Sequence, residues 1–70
     1  MSSYLIRKKK YQELTQFLLE NKNVYTNSLQ DFLGCTYKQA YRIVCVIKNK
    51  YNIKTMYIPA EYFKKFIDEE

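Results

Sequence analysis

Residues 29–43 read LQDFLGCTYKQAYRI, and this stretch decides the fold. It places the only glycine of the chain, Gly34, between two segments with helical periodicity. Glycine adopts the left-handed conformation that ends a helix without strain, and the Thr36 side chain can cap the first turn of a following helix. Ala40 is small enough to let two helix backbones approach each other. The stretch therefore predicts two short helices joined by a tight turn at a steep angle.

The second of these helices is expected to run from Thr36 to Lys50 or Tyr51. Its apolar residues at helical spacing predict one buried face, formed by Ala40, Ile43, Val44 and Ile47. The run 43–47 is apolar in nearly every direction, so Cys45 and Val46 point away from that face. Either another element covers them or the run is a strand, and the helical period of the flanking residues favours a helix. The surplus apolar surface predicts self-association.

The remaining segments complete a single domain over residues 1–70. A long helix is expected from Tyr4 to Asn21, followed by a two-residue strand at Val24–Tyr25. The expected elements that flank the long central helix are a short helix at Leu29–Leu33 capped from Thr26–Ser28, an extended segment at Ile53–Ile58 and a last helix at Ala60–Glu69. The predicted inward faces of the outer helices are Tyr11, Leu14, Phe17 and Leu18 in the first and Ala60, Phe63, Phe66 and Ile67 in the last. The predicted fold class is mainly α with a small β element.

Composition narrows the range of functions. The chain has 70 residues, 12 basic and 7 acidic, with a net charge of +5, which indicates an anionic partner. It is too short for a separate substrate domain, and it has no histidine, the commonest general base and metal ligand. We therefore expect no enzyme, catalytic residue, metal, cofactor or small-molecule substrate. Without histidine, Cys35 and Cys45 are interpreted as small buried hydrophobic residues.

The N-terminal pattern bears on location. No apolar run approaches the roughly 20 residues that span a bilayer. The basic block Arg7–Lys10 follows a short apolar patch, whereas in a secretory signal the positive residues come first. Its cations are also consecutive and do not form one face of an amphipathic helix. These features predict a cytoplasmic protein that does not bind membranes.

The basic residues of the central helix point to double-stranded DNA. When its apolar face is buried, Lys38, Arg42 and Asn49 line the opposite stripe. Arginine and lysine pair with guanine in the major groove, and glutamine pairs with adenine. The residues predicted to bind DNA are Thr36, Tyr37, Lys38, Gln39, Tyr41, Arg42, Lys48, Lys50 and Lys54. For Tyr37, packing against the core is an equal alternative.

Two further predictions concern charge. Residues Arg7, Lys8, Lys9 and Lys10 form a basic arm that either contacts phosphates or is merely solvated. Residues 1–58 hold ten basic and three acidic residues, whereas residues 59–70 hold two basic and four acidic ones. The acidic end is therefore expected to point away from DNA.

Two motifs carry a resemblance. Leu33–Thr36 and Ala40–Ile43 match the bacterial helix-turn-helix pattern, with Cys35 where valine or isoleucine is usual. With the ending Tyr57–Ile67, residues 24–68 resemble the winged helix-turn-helix class and are similar to small excisionase-like and MerR-like DNA-binding domains. The chain departs from them in lacking a glycine-rich wing hairpin and in its extra N-terminal helix. In that arrangement, Val24–Tyr25 could pair with part of 56–58.

The resemblance implies a DNA-binding protein of a phage or mobile element, acting as an excisionase or a small transcriptional regulator. The abundance of residues with AT-rich codons agrees with such an origin. A domain this small is expected to bind repeated half-sites cooperatively or as a dimer. The alternative is a protein-interaction module, such as a phage-encoded inhibitor or adaptor that reuses the scaffold. The surface around Cys45 and Val46 and the eight tyrosines would then form its interface.

Overall fold

Helices form most of the computed structural model, which describes residues 3–69. In this range the elements are α1 (Ser3–Arg7), α2 (Tyr11–Glu20), β1 (Asn23–Val24), α3 (Thr26–Leu33), α4 (Tyr37–Tyr51), β2 (Ile58–Pro59) and α5 (Ala60–Glu69). The two strands pair antiparallel. The predicted fold class, mainly α with a small β element, is confirmed. Glu70, one of the acidic residues expected to point away from DNA, lies outside the described residues.

The turn between α3 and α4 forms as the sequence predicts. Gly34 has a φ of +64°, in the left-handed region that glycine tolerates. Its N–H donates to the Gln30 carbonyl at 2.9 Å, and the Cys35 N–H donates to the same oxygen at 3.3 Å. These two hydrogen bonds to one carbonyl oxygen end the helix and redirect the chain. They set the angle at which α4 leaves α3.

The C-terminus of α4 repeats this geometry with a different residue. Asn52 has a φ of +56°, and asparagine is one of the residues that tolerate this region. The Ile53 N–H then donates to the Lys48 carbonyl at 2.9 Å. The predicted end of the helix at Tyr51 is confirmed.

The two strands close the fold at the base of α5. Val24 pairs with Ile58 and Asn23 with Pro59, and the Ala60 N–H donates to the Lys22 carbonyl at 2.8 Å. The predicted pairing of Val24 with part of 56–58 is therefore confirmed. The extended segment predicted at Ile53–Ile58 forms a strand only at Ile58, because the left-handed Asn52 turns the chain into a loop over residues 52–57.

The predicted single helix Tyr4–Asn21 is wrong, because the chain breaks at Lys8–Lys10. The Lys9 N–H donates to the Ile6 carbonyl at 3.0 Å and closes a turn. Lys10 is then extended, with φ −70° and ψ 150°. Its N–H donates to Glu13 Oε2 at 3.0 Å, so the Glu13 carboxylate helps to start α2.

The start of α3 also differs from the prediction. Tyr25 is extended, and its carbonyl accepts the Leu29 N–H at 3.0 Å. Thr26 is therefore the first helical residue, and the expected caps in Thr26–Ser28 are wrong. Tyr25, predicted as a strand residue, occupies the position just before the helix.

Side chains from all five helices and both strands meet in one apolar core. Its buried residues are Ile6, Leu14, Phe17, Val24, Leu29, Ala40, Ile43, Val44, Ile47, Ile58, Phe63 and Phe66. The predicted inward face of α4 is thereby confirmed. Tyr11, predicted to face inward, is 56% exposed because α2 turns its Leu14 side to the core. Cys35 and Cys45 are half-buried rather than fully buried, and neither forms a disulfide.

Candidate nucleic-acid interface

Two reciprocal hydrogen bonds hold the first turn of α4. The Gln39 N–H donates to Thr36 Oγ1 at 3.2 Å, and the Thr36 N–H donates to Gln39 Oε1 at 3.1 Å. This capping box confirms Thr36 as the N-cap. It also engages the amide oxygen of Gln39, so only the NH₂ group of that side chain keeps its full freedom to meet a ligand.

The outer face of α4 carries two cations near its N-terminus. Ala40, Ile43 and Ile47 are at most 1% exposed and fix which side of the helix faces inward. Lys38 and Arg42 are exposed and lie one turn apart on the opposite side. The structure therefore presents both side chains to solvent on a helix that is held rigidly by its buried face.

Two tyrosines flank these cations. The rings of Tyr37 and Tyr41 stack at 6.3 Å between centroids with an interplanar angle of 15°. They are 53% and 54% exposed. Of the two alternatives for Tyr37, packing against the core is therefore wrong. Its contact with DNA stays a prediction.

Beside this pair a cleft of about 330 Å³ separates α4 from the start of α3 and the loop before β2. Its lining residues are Tyr25, Thr26, Asn27, Tyr37, Tyr41, Val44, Cys45, Lys48 and Met56. Of these residues, only Tyr37, Tyr41 and Lys48 are among those predicted to bind DNA, and Tyr25, Asn27 and Met56 are additions from the structure. Tyr25 packs against Tyr57 with centroids 5.5 Å apart, and Met56 is 85% exposed. The sequence indicated their position only through the predicted pairing of Val24–Tyr25 with part of 56–58, which brings the segment before α3 close to the loop before β2.

Tyr41 also contacts the next turn of its own helix. A hydrogen bond with the Cys45 side chain raises the pKa of the Tyr41 hydroxyl above its ordinary value, and charge repulsion from Cys45 adds to the effect. A phenol with an ordinary pKa of about 10 is already neutral near pH 7, and the raised pKa of Tyr41 keeps it so. A neutral phenol can both donate and accept a hydrogen bond at the edge of the cleft.

The segment of sequence that forms α4 and the loop after it carries only positive charges. From Phe32 to Ala60 the chain contains five basic residues and no acidic one. Lys48 is half-buried in the cleft lining, and Lys54 is exposed on the loop that follows α4. An anion approaching α4 from its outer side would therefore meet a positive potential.

Lys50 differs from its neighbours, because an acidic residue of α5 reaches it. Its ammonium lies 3.1 Å from Glu69 Oε1 and over the rings of Tyr51 and Phe66. Glu69, part of the acidic end that is expected to point away from DNA, thus contacts one of the residues predicted to bind DNA. DNA contact by Lys50 stays a prediction, and it would compete with this ion pair.

The predicted basic arm is part of the packed structure. Ile6 beside it is 3% exposed, and the Lys9 ammonium lies 5.1 Å from the centre of the Phe32 ring on α3. Arg7, Lys8 and Lys10 are exposed. The arm thus borders α2 and α3, and the described lining of the cleft includes none of its residues.

Within residues 3–69, no group of three cysteine or acidic residues is placed to hold a metal ion. In the same range, no helix has the length and apolar character needed to cross a bilayer.

Comparison of the chain with protein-family models, curated proteins and solved structures finds no match in any of the three.

Proposed function

We propose that this chain is a sequence-specific double-stranded DNA-binding protein with a winged helix-turn-helix fold. In this proposal α4 is the recognition helix and enters the major groove. The observation that carries the proposal is the pair Lys38 and Arg42, both exposed on the outer face of α4 in its first two turns, where a recognition helix contacts bases.

The dimensions of α4 agree with this role. A helix of 15 residues is about 22 Å long, and the major groove of B-DNA is about 12 Å wide. The N-terminal half of α4 would lie in the groove, with its C-terminal half leaving it. Arg42 would pair with a guanine, and Lys38 would contact a neighbouring base or phosphate.

Phosphate contacts would set the orientation of the helix. The Thr36 hydroxyl accepts the Gln39 N–H and keeps its own hydrogen for a phosphate oxygen. Lys48 and the neutral Tyr41 hydroxyl would contact the strand that passes the cleft. Such contacts fix the register of a protein on the duplex but carry no sequence information.

The loop over residues 52–57 takes the place of a wing in this arrangement. It follows the recognition helix and leads into β2, and it presents Lys54 and Met56 to solvent. It contains no glycine. We propose that Lys54 contacts the DNA backbone beside the groove that α4 occupies.

Selection of bound sequences from random duplex DNA, at two salt concentrations, tests the proposal. The expected result is a consensus sequence that persists at the higher salt. Arg42→Ala should relax the preference at one position, whereas Lys54→Ala should weaken binding to all sequences alike. If the chain binds without a consensus sequence, and this binding disappears in moderate salt, the result would show only a general attraction to polyanions.

Two biological roles fit a DNA-binding protein of this kind. The resemblance to excisionase-like and MerR-like domains supports an excisionase or a small transcriptional regulator of a phage or mobile element. A single domain offers a small interface, so we propose cooperative or dimeric binding to repeated half-sites, with Val46, 38% exposed, near the contact. Footprinting on a promoter and a bending assay on attachment-site DNA separate the two roles.

A further inference from the structure

A second surface lies between α2 and α3, and its floor is an aromatic pair. The rings of Phe17 and Phe32 stack with centroids 4.3 Å apart and an interplanar angle of 14°. Phe17 is 7% exposed, whereas Phe32 is only half-buried. Two shallow hollows of about 420 and 340 Å³, both wide open to solvent, border this pair. Among the described residues, none that lines these hollows also lines the cleft beside α4.

The rim of this groove is acidic, although basic residues outnumber acidic ones in the first 58 residues of the chain. Residues 1–58 contain three acidic residues, Glu13, Glu20 and Asp31. All three line the hollows around the phenylalanine pair, together with the polar residues Gln12, Gln16, Asn21 and Ser28. The negative charge of the first 58 residues is thus gathered around one apolar site.

The chain itself shows which charge this surface attracts. The Lys9 ammonium lies 5.1 Å from the centre of the Phe32 ring, a distance typical of a cation–π contact. The half-exposed aromatic ring favours a cation at this position, and the three carboxylates that line the hollows favour cations along the rest of the groove. A lysine or arginine from another molecule would find the same environment along the rest of the groove.

Leu19 enlarges the apolar area. It is 71% exposed on α2 and lies on the stripe of the helix next to Gln12 and Gln16. An incoming helix that contacts the groove would also cover this side chain. Burial of a leucine exposed to this extent is favourable when a partner provides an apolar neighbour.

We propose that the groove formed by Phe17, Phe32, Glu13, Glu20 and Asp31 is a docking site for a basic amphipathic helix of a partner protein. An apolar side chain of that helix would contact Phe32 and enter a hollow, and its lysine or arginine residues would face the three carboxylates. Charge complementarity selects this occupant. The proposal does not depend on DNA binding by α4, since the two surfaces are separate.

Two other occupants are disfavoured by charge. Nucleic acid is repelled by the three carboxylates. A symmetric contact with a second copy would place the same patch on both sides and bring like charges together. A basic partner has neither problem, and it would leave the outer face of α4 accessible.

NMR titration of the full chain with a helical peptide of leucine and lysine tests the site. The expected result is a shift of the backbone signals of Gln16, Asp31 and Phe32, with little change in α4. A peptide in which glutamate replaces every lysine should leave them unchanged. Absence of shifts with the lysine peptide up to millimolar concentration, or equal shifts with both peptides, would overturn the proposal.

Matched variants separate the groove from the net charge. The double variant Glu20→Gln and Asp31→Asn should weaken binding of the lysine peptide about tenfold, since two favourable charge pairs are lost. The control, Glu61→Gln with Asp68→Asn, changes the net charge equally on α5 and should have little effect. An equal loss in both would contradict the assignment.

Phe32→Ala should abolish the shifts, provided that its spectrum shows a folded chain. The charge variants keep the test valid if it does not, because Glu20 and Asp31 are exposed. Sedimentation of the chain without peptide measures its self-association and so tests whether a second copy of the chain occupies the groove. Self-association that becomes stronger in the Glu20→Gln and Asp31→Asn variant would assign the groove to a homodimer and overturn the proposal.

Discussion

The Lys50 ammonium lies 3.1 Å from a carboxylate oxygen of Glu69 and joins the end of α4 to the end of α5. The Tyr51 hydroxyl donates to the same oxygen at 2.5 Å. Glu69 is thus held by two consecutive residues of the proposed recognition helix. The acidic last helix and the basic surface of α4 therefore meet at one defined point.

Glu69→Gln should strengthen DNA binding on all sequences. The change removes a negative charge next to the proposed interface and releases the Lys50 ammonium for a phosphate. We expect the salt dependence of binding to steepen by about one unit of slope. Fluorescence titrations at several salt concentrations measure it, with Glu61→Gln as the control for net charge. Unchanged slopes would show that Lys50 does not contact DNA.

Tyr51→Phe should raise the pKa of Glu69. The hydrogen bond from Tyr51 and that from Lys50 lower the pKa of this carboxyl below its ordinary value. A group with a lowered folded-state pKa stabilises the fold above its unfolded-state pKa, and this contribution is lost as the pH falls through the folded-state value. NMR titration of the Glu69 carboxyl measures this pKa. The control Tyr62→Phe removes a tyrosine hydroxyl from α5 and should leave the pKa of Glu69 unaltered.

Gly34→Ala should destabilise the chain through the backbone alone. A methyl group at this position would meet no atom within 4 Å, so no clash contributes. The left-handed conformation costs a residue with a Cβ about 1–2 kcal/mol. Urea unfolding measures this loss. Asn52→Gly, at the corresponding position after α4, should be neutral or slightly stabilising, and a similar loss there would contradict the explanation.

Thr36→Ala should destabilise the fold by about 1 kcal/mol, because the Gln39 N–H loses its acceptor. Thr36→Ser keeps the oxygen and should restore most of the stability. In DNA binding, alanine should weaken all sequences alike, since the proposed contact is to phosphate. Loss of preference at a single base pair would instead indicate that Thr36 reads a base.

The elements that depend on local sequence could be predicted. Gly34 and Thr36 act through the backbone of their own helix ends, and the inward face of α4 follows from the spacing of Ala40, Ile43 and Ile47. The break at Lys8–Lys10 contains neither glycine nor proline. It forms because Ile6 enters the core and Glu13 accepts the Lys10 N–H, and residue preferences do not encode that choice.

The parts of the candidate site that depend on tertiary contacts could not be predicted. Tyr25 and Met56 line the same cleft only because Val24 pairs with Ile58. Glu69 reaches Lys50 because α5 packs along α4, and the charge asymmetry of the sequence suggested the opposite placement. Helical periodicity showed which face of α4 is outward, but not what lies beside it.

The pairing of Val24 with Ile58 has a consequence for the order of folding. It joins residues 34 positions apart, so its formation must overcome the entropy of closing a long loop. The contacts between α3 and α4 lie inside that loop and are close in sequence, and such contacts form faster. We therefore expect the helical pair to assemble first and the strands to join last. The cleft beside α4, which needs both, would be among the final features of the molecule to appear.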